Sequence, residues 1–319
     1  MGTAFAVVVG RPSLWLISSL GFALRGGILV LLLPIFVLPT AVEARLLLGT
    51  NLGSTGLTPS FFSSLGLAGA LLIAPIALAL FAIAYLELAA FERIAGDEET
   101  AEQREEHQPA PPSGAGRRAL VAWLAAVQLA AVVGLAIAAL PLANSVVAVT
   151  TEEILRPSVP GGSIYLRVFS GVREPLAMVL AAVVIVELLT ALVSRQLLLR
   201  GVGLAGQVGP SQRLGVRSAL AAGLARPLRH PLRTAATALL GWSLSLGVLV
   251  PVLWTLLLAW ETVRSTYLAT GSQTDAQSVT GLILVTVALA AVFLAGVLLC
   301  GLASALRSAL WTIDGLRRS

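Results

Sequence analysis

The chain has 319 residues, of which 57% are hydrophobic and only 12% are charged, and its mean hydropathy is +0.92. So few polar residues cannot cover that much apolar surface in water, which excludes an ordinary soluble domain. The net charge of +5 comes from 21 arginines and no lysine, and in so apolar a chain it does not indicate a nucleic-acid partner. Cys300 is the single cysteine, so neither an intramolecular disulfide nor a cysteine-based metal site can form.

Long apolar runs, separated by most of the charges, predict membrane-spanning helices. We expect an all-α fold, a polytopic membrane bundle of about six transmembrane helices in three hairpins, with amphipathic helices at the membrane surface. The predicted spans are residues 26–42, 65–88, 119–142, 176–193, 234–257 and 279–302.

The organisation along the chain follows from these runs. Residues 1–93 comprise an N-terminal surface helix and the first hairpin, and residues 119–319 hold four more spans, a basic cytoplasmic loop and a C-terminal surface helix. Between them, residues 94–118 are acidic and rich in Pro and Gly, which is typical of a flexible cytoplasmic linker. Residues 1–10 carry no basic side chain, so we expect the first span to be retained rather than cleaved as a signal peptide.

Arginines are distributed unequally between the two sets of connecting segments. Fifteen lie on the side of the two termini and five on the other side, with Arg25 unassigned. Because positively charged residues accumulate on the cytoplasmic side, this distribution predicts a multi-pass protein of the cell inner membrane with both termini in the cytoplasm.

Three segments have the pattern of helices that lie on a membrane, namely residues 11–25, 211–226 and 303–318. For the first, a helix that lies on the membrane and one that crosses it remain open alternatives, because Arg25-Gly26-Gly27 has the composition of a hinge. The residues expected to contact lipid headgroups are Arg11, Arg213, Arg217, Arg226, Arg307 and Arg318.

The three hairpins share features that suggest an internal repeat. The first helix of each carries proline in its outer half, at Pro34 and Pro39, at Pro141 and at Pro251. Proline kinks a helix, so the pattern indicates three bent helices, although coincidence in a chain rich in Leu and Ala is an equal alternative.

Ionisable groups within apolar spans are the first candidates for a functional site. Glu187 is expected near the middle of the fourth span, either as a proton- or cation-handling group or hydrogen-bonded to Gln128. Arg25 would be a charge partner for Glu187 if the first helix ran unbroken. Glu87 is expected at the cytoplasmic interface, in reach of water.

No catalytic, metal-binding or cofactor-binding constellation is evident in the sequence. Residues 201–206 match G-x-G-x-x-G, but a membrane helix precedes them and arginines stand where the acidic residue of a dinucleotide site is needed. We therefore expect no cofactor and no metal.

The pattern favours a non-enzymatic scaffold, accessory subunit or lipid-contacting factor. The expected partners are membrane lipids, with other membrane subunits or a homo-oligomer left open. A transporter that uses Glu187 is one alternative. A lipid-processing enzyme is another, and it would need Glu87, Arg93, Arg195 and Arg307 to lie close together.

Overall fold

The computed structural model describes residues 2–35, 52–53, 56–57, 59–98, 114–155, 164–201, 216–270 and 276–316. These residues are helical except for the turn at 10–11, the bend at His230 and a short antiparallel pair. In that pair β1 (Leu52–Gly53) and β2 (Gly56–Leu57) place Leu52 opposite Leu57. Most of the acidic linker and residues 202–215 lie outside the described residues.

The helices follow one another with few interruptions. They are α1 (Gly2–Val9), α2 (Pro12–Phe22), α3 (Ile28–Leu32), α4 (Pro59–Glu98), α5 (Gly114–Leu155), α6 (Ile164–Gly201), α7 (Val216–Arg229), α8 (Pro231–Thr270) and α9 (Ala276–Leu316). A π-helical turn, Ala23–Gly27, joins α2 to α3, and the 3₁₀ turn Leu33–Ile35 follows α3.

Within the described residues, six helical stretches are long and apolar enough to cross a membrane, which is the number the sequence predicts. They are Pro12–Ile35, Gly66–Ala95, Gly116–Thr150, Val168–Leu199, Pro231–Ala269 and Val279–Asp314. Large apolar side chains stay exposed along all of them, and lipid is the solvent in which such side chains are stable. The chain is a multi-pass membrane protein.

The five long helices extend well beyond what a bilayer needs. They contain 38 to 42 residues each. At ~1.5 Å per residue they are about 60 Å long, whereas a hydrocarbon core is about 30 Å thick. Their ends therefore reach past the hydrocarbon layer unless the helices tilt strongly.

The first apolar stretch contains the hinge that the sequence indicates. Gly26 adopts φ 90°, a left-handed backbone conformation that glycine tolerates and other residues rarely adopt. The helix resumes at Ile28, so Pro12–Ile35 forms one bent helical stretch, and whether its first part lies on the membrane or crosses it stays a prediction. The residues after Ile35, where the predicted span continues to 42, lie outside the described residues.

One of the other two expected surface helices differs from the prediction. Residues 303–316 are the last turns of α9 and not a separate helix, and Trp311 among them is buried. The reason is tertiary packing, since α1 and α2 lie against this end of α9. The described part of the 211–226 segment begins at Val216 as α7.

The chain divides into two compact units. The first contains residues 1–37, 81–125 and 192–319. One of its cores is formed by α1, α2, α4 and α9 through Val8, Leu14, Ala90, Ile94, Ala305, Ala309 and Ile313. A second core joins α3, α8 and α9 through Leu31, Val252, Leu256 and Cys300.

Glycines allow α9 to approach its neighbours in this unit closely. A Cβ at Gly296 would lie 2.7 Å from Val252 of α8, and a Cβ at Gly301 would overlap Ser19 of α2. Within this unit α8 and α9 pack against each other.

The second unit contains residues 38–80 and 126–191, and its described helical residues belong to α4, α5 and α6. Residues 66–78 of α4 are exposed throughout, while Gly171 of α6 packs against Val149 of α5. Pro75 and Pro175 lie inside α4 and α6, as Pro141 and Pro251 lie inside α5 and α8. Internal prolines therefore occur in both helices of an expected hairpin, and this weakens the argument for a threefold repeat.

Candidate functional site

An ion pair links the bent first stretch to α4. Arg25 lies in the π-helical turn, and its Nη2 donates a hydrogen bond to Oε2 of Glu87 over 3.1 Å. The Glu87 side chain is only 8% exposed, whereas that of Arg25 is 44% exposed. The carboxylate is thus packed among helices, while the guanidinium that binds it remains accessible.

A second arginine reaches the same carboxylate from α6. Nη2 of Arg195 lies 3.8 Å from Oε1 of Glu87 and donates a hydrogen bond to Oγ of Ser308 in α9 over 2.6 Å. Arg195 is only 5% exposed. Its Nη1 is buried, and no described residue accepts a hydrogen bond from it.

A third arginine adds positive charge to this group. Arg307 precedes Ser308 in α9, and its side chain lies over Gly241 of α8, where a Cβ would come 3.1 Å from the arginine's Cγ. The charges of Arg307 and Arg25 repel that of Arg195, and the charge of Glu87 attracts it. We call Arg25, Glu87, Arg195 and Arg307 the arginine cluster. All four belong to the first unit.

Two further contacts involve the end of α4, a few residues after Glu87. Arg117 of α5 donates to Glu92 of α4 over 2.9 Å, and its guanidinium carbon lies 5.7 Å from the centre of the Tyr85 ring. Arg11 donates to the backbone carbonyl of Arg93 over 3.4 Å. The second contact places Arg11 against protein, where the sequence had indicated a lipid headgroup.

The expected polar sites fall into two groups. Glu87 and Arg25 come together: the Glu87 side chain is 8% exposed and ion-paired, and its place at the cytoplasmic interface stays a prediction. Arg25 takes Glu87 as its partner, a pair that the sequence did not indicate. Glu187 and Gln128 are partly buried in α6 and α5 of the second unit, and a bond between them stays a prediction.

The other headgroup candidates are only partly described. Arg307 is half-buried in the arginine cluster. Arg217 and Arg226 lie in α7, but only their backbone is described, and Arg213 and Arg318 lie outside the described residues. The sequence indicates Arg195 only as a loop arginine and as one of the four residues that a lipid-processing enzyme would need close together. The apolar run Leu197–Leu199 after it is the signal that its helix continues.

A second surface of interest lies where α7 meets α8. Leu228 and Leu232 are 84% and 85% exposed, beside the exposed Arg229, His230 and Arg233. On its other side α7 packs against α6, because a Cβ at Gly223 would lie 3.1 Å from Cα of Val193. We call residues 228–233 the basic corner.

The chemistry available in the arginine cluster is anion binding. Guanidinium groups are planar forks of N–H donors that match carboxylate and phosphate oxygens. The four side chains supply such donors and one carboxylate, but among them no nucleophile stands beside a base. Comparison of the chain with protein-family models, curated proteins and solved structures gives no match.

Proposed function

We propose that this protein is a non-enzymatic, multi-pass protein of the cell membrane, with both termini in the cytoplasm, that contacts anionic lipid headgroups. Its role would be that of a lipid-contacting scaffold or accessory subunit. The basic corner carries this proposal.

The basic corner alternates leucines with basic groups at a bend in the chain. Leu228 and Leu232 are almost fully exposed, and Arg229, His230 and Arg233 stand beside them. Exposed leucines are stable in the acyl region at the membrane surface, and arginines beside them meet the phosphate layer. An anionic membrane surface accommodates both the exposed leucines and the basic side chains beside them.

The arginine distribution supports the orientation. The basic corner belongs to the same side of the topology as the acidic linker and both termini, where fifteen of the arginines lie. The cytoplasmic leaflet is the anionic one, and it attracts basic segments close to the membrane.

Lipid binding tests this proposal directly. The purified protein, stripped of lipid in detergent, is titrated with phosphatidylglycerol and with phosphatidylcholine, and bound lipid is counted by native mass spectrometry. Phosphatidylglycerol should bind more tightly, and the double variant Arg229→Gln/Arg233→Gln should weaken its binding about tenfold.

The matched control is Arg173→Gln/Arg264→Gln, which removes two exposed arginines from the opposite side of the topology. This control should bind phosphatidylglycerol as the wild type does. Equal losses in the two double variants would mean that only the total charge matters, and the proposal would then be wrong.

A further inference from the structure

We propose that the arginine cluster is a binding site for a phosphate group, supplied either by a lipid headgroup or by free inorganic phosphate. This inference deepens the proposed function and rests on it for the lipid source. Its location differs from the basic corner, so the two can be tested separately.

The balance of charge in the cluster is the first argument. Two guanidinium groups, those of Arg25 and Arg195, lie within 4 Å of one carboxylate, and all three side chains are carried by helical stretches apolar enough to cross a membrane. A guanidinium does not lose its proton in proteins. Burial of unbalanced charge is costly, and a bound anion compensates for it.

The unpartnered nitrogen of Arg195 is the second, independent argument. Nη2 of this guanidinium is occupied by Ser308 and lies near Glu87, while Nη1 is buried and meets no hydrogen-bond acceptor among the described residues. A buried charged donor without an acceptor is strongly unfavourable. A phosphate oxygen next to Nη1 would supply the missing acceptor.

Arg25 marks the path by which a ligand can reach the arginine cluster. Its side chain is 44% exposed although it binds the buried Glu87, so it connects the surface of the bundle with the cluster. Arg25 lies next to Gly26, where the backbone bends. We infer that a phosphate group enters beside Arg25 and competes with Glu87 for both arginines.

A phosphate group fits the cluster by charge. It carries one negative charge in a lipid diester and between one and two in inorganic phosphate near pH 7. Arg25, Arg195 and Glu87 together carry one more positive than negative charge. Arginine forks bind phosphate oxygens in pairs, so several oxygens of one phosphate can be held at once.

The experiment uses the full chain in maltoside micelles, whose detergent carries no phosphate, with unfolding followed by the fluorescence of its six tryptophans. One arm adds inorganic phosphate against chloride at equal ionic strength, and the other arm adds phosphatidylglycerol to the micelles. At least one source should raise the unfolding temperature, by about 3 °C. The arm that responds identifies the source of the phosphate.

The variant Arg25→Gln should reduce the affinity for the effective phosphate source about tenfold. The control Arg264→Gln, which removes an exposed arginine that pairs with Glu261, should leave it unchanged. The variant Glu87→Gln should increase that affinity about threefold, because it removes the competing negative charge. A cluster with a purely structural role would lose stability in Glu87→Gln without any change in its response to phosphate.

Failure of this inference can be distinguished from failure of the proposed function. If neither source stabilises the wild type, or if Arg25→Gln responds as the wild type does, the phosphate site is wrong even when the basic corner binds lipid. If Arg25→Gln loses its response while Arg229→Gln/Arg233→Gln keeps full phosphatidylglycerol binding, the phosphate site stands and the lipid contact proposed at the basic corner is wrong.

Discussion

The carboxylate of Glu87 lies 3.1 Å from the guanidinium of Arg25, although 62 positions of the chain separate the two residues. This pair fastens the bent first stretch to α4. Glu87 also faces Arg195 at 3.8 Å, and that second pair is buried on both sides. Loss of the carboxylate is costly for the buried Arg195, because water cannot reach it to replace Glu87. The exposed Arg25 can take water as its partner instead.

Removal of the shared carboxylate should therefore destabilise the protein. Glu87→Ala leaves Arg195 buried without its counter-charge, and we expect the free energy of unfolding to fall by about 3 kcal/mol. Reversible unfolding in mixed detergent micelles measures this change. The control is Glu92→Ala, whose pair with Arg117 is 41% and 33% exposed. Its loss should cost less than about 1 kcal/mol, and equal costs for the two variants would contradict the assignment.

The contact between α9 and α2 should not tolerate a side chain at Gly301. A Cβ there would overlap both the side chain and Cα of Ser19, so the helices must separate to admit it. We expect Gly301→Ala to destabilise the protein by about 2 kcal/mol, measured by thermal unfolding. Gly281 lies in the same helix with nothing within 4 Å of its Cβ position. Gly281→Ala should be neutral or slightly stabilising, because alanine favours the helix more than glycine does, and a comparable loss there would show that the contact with Ser19 does not set the effect.

The bend after Arg25 should depend on glycine. Gly26 has φ 90°, which costs a residue with a side chain roughly 1–2 kcal/mol. Gly26→Ala should lower stability by about this amount, and it should also weaken the contact of Arg25 with Glu87, because the bend positions Arg25. Gly21→Ala, two residues before the π-helical turn and without a close neighbour, is the matched control. If both variants unfold alike, the left-handed backbone at Gly26 carries no strain.

Phe91 should be the most costly side chain to truncate in α4. It is fully buried, and Phe91→Ala would leave a cavity that costs about 3 kcal/mol or more. Phe81 lies in the same helix and is half exposed, so Phe81→Ala removes the same atoms from a surface that lipid can refill. Thermal unfolding in nanodiscs should separate the two variants clearly. A larger effect at Phe81 would mean that a partner covers that face.

The orientation can be read from cysteine accessibility in cells. Cys300 is buried, and a Cys300→Ser background removes it entirely. On that background Gln108→Cys in the acidic linker should react with a membrane-impermeant maleimide only after the cells are permeabilised. Ser272→Cys, between α8 and α9, should react in intact cells. The reverse pattern would place both termini outside and overturn the arginine-based topology.

Sequence periodicity and composition predict the all-helical class and the number of membrane-crossing stretches correctly. Apolar length alone carries this information, because every backbone polar group must find a partner inside lipid. The ends of the helices were predicted less well. The sequence separates residues 303–318 from the last span because its charges resume at Arg307, whereas contact with α1 and α2 keeps this segment in α9.

For the ionisable residues, the sequence predicts their positions along a helix but not their partners. Glu187 is a candidate because it interrupts an apolar run, and Glu87 is expected at the interface because it lies near the end of one. Only tertiary structure brings Arg25, Arg195 and Ser308 around Glu87, since these residues come from four helical segments far apart in the chain. Spacing along a single helix does not predict contacts between side chains of different helices.

The amino-acid sequence by itself determined that this chain belongs in a bilayer and how many helices can cross it, because solvent preference is a local property summed over about twenty residues. Which charges face one another was decided only by the fold. Helix packing sets the distances between distant side chains, and at those distances Arg195 becomes a buried cation that shares one carboxylate with Arg25.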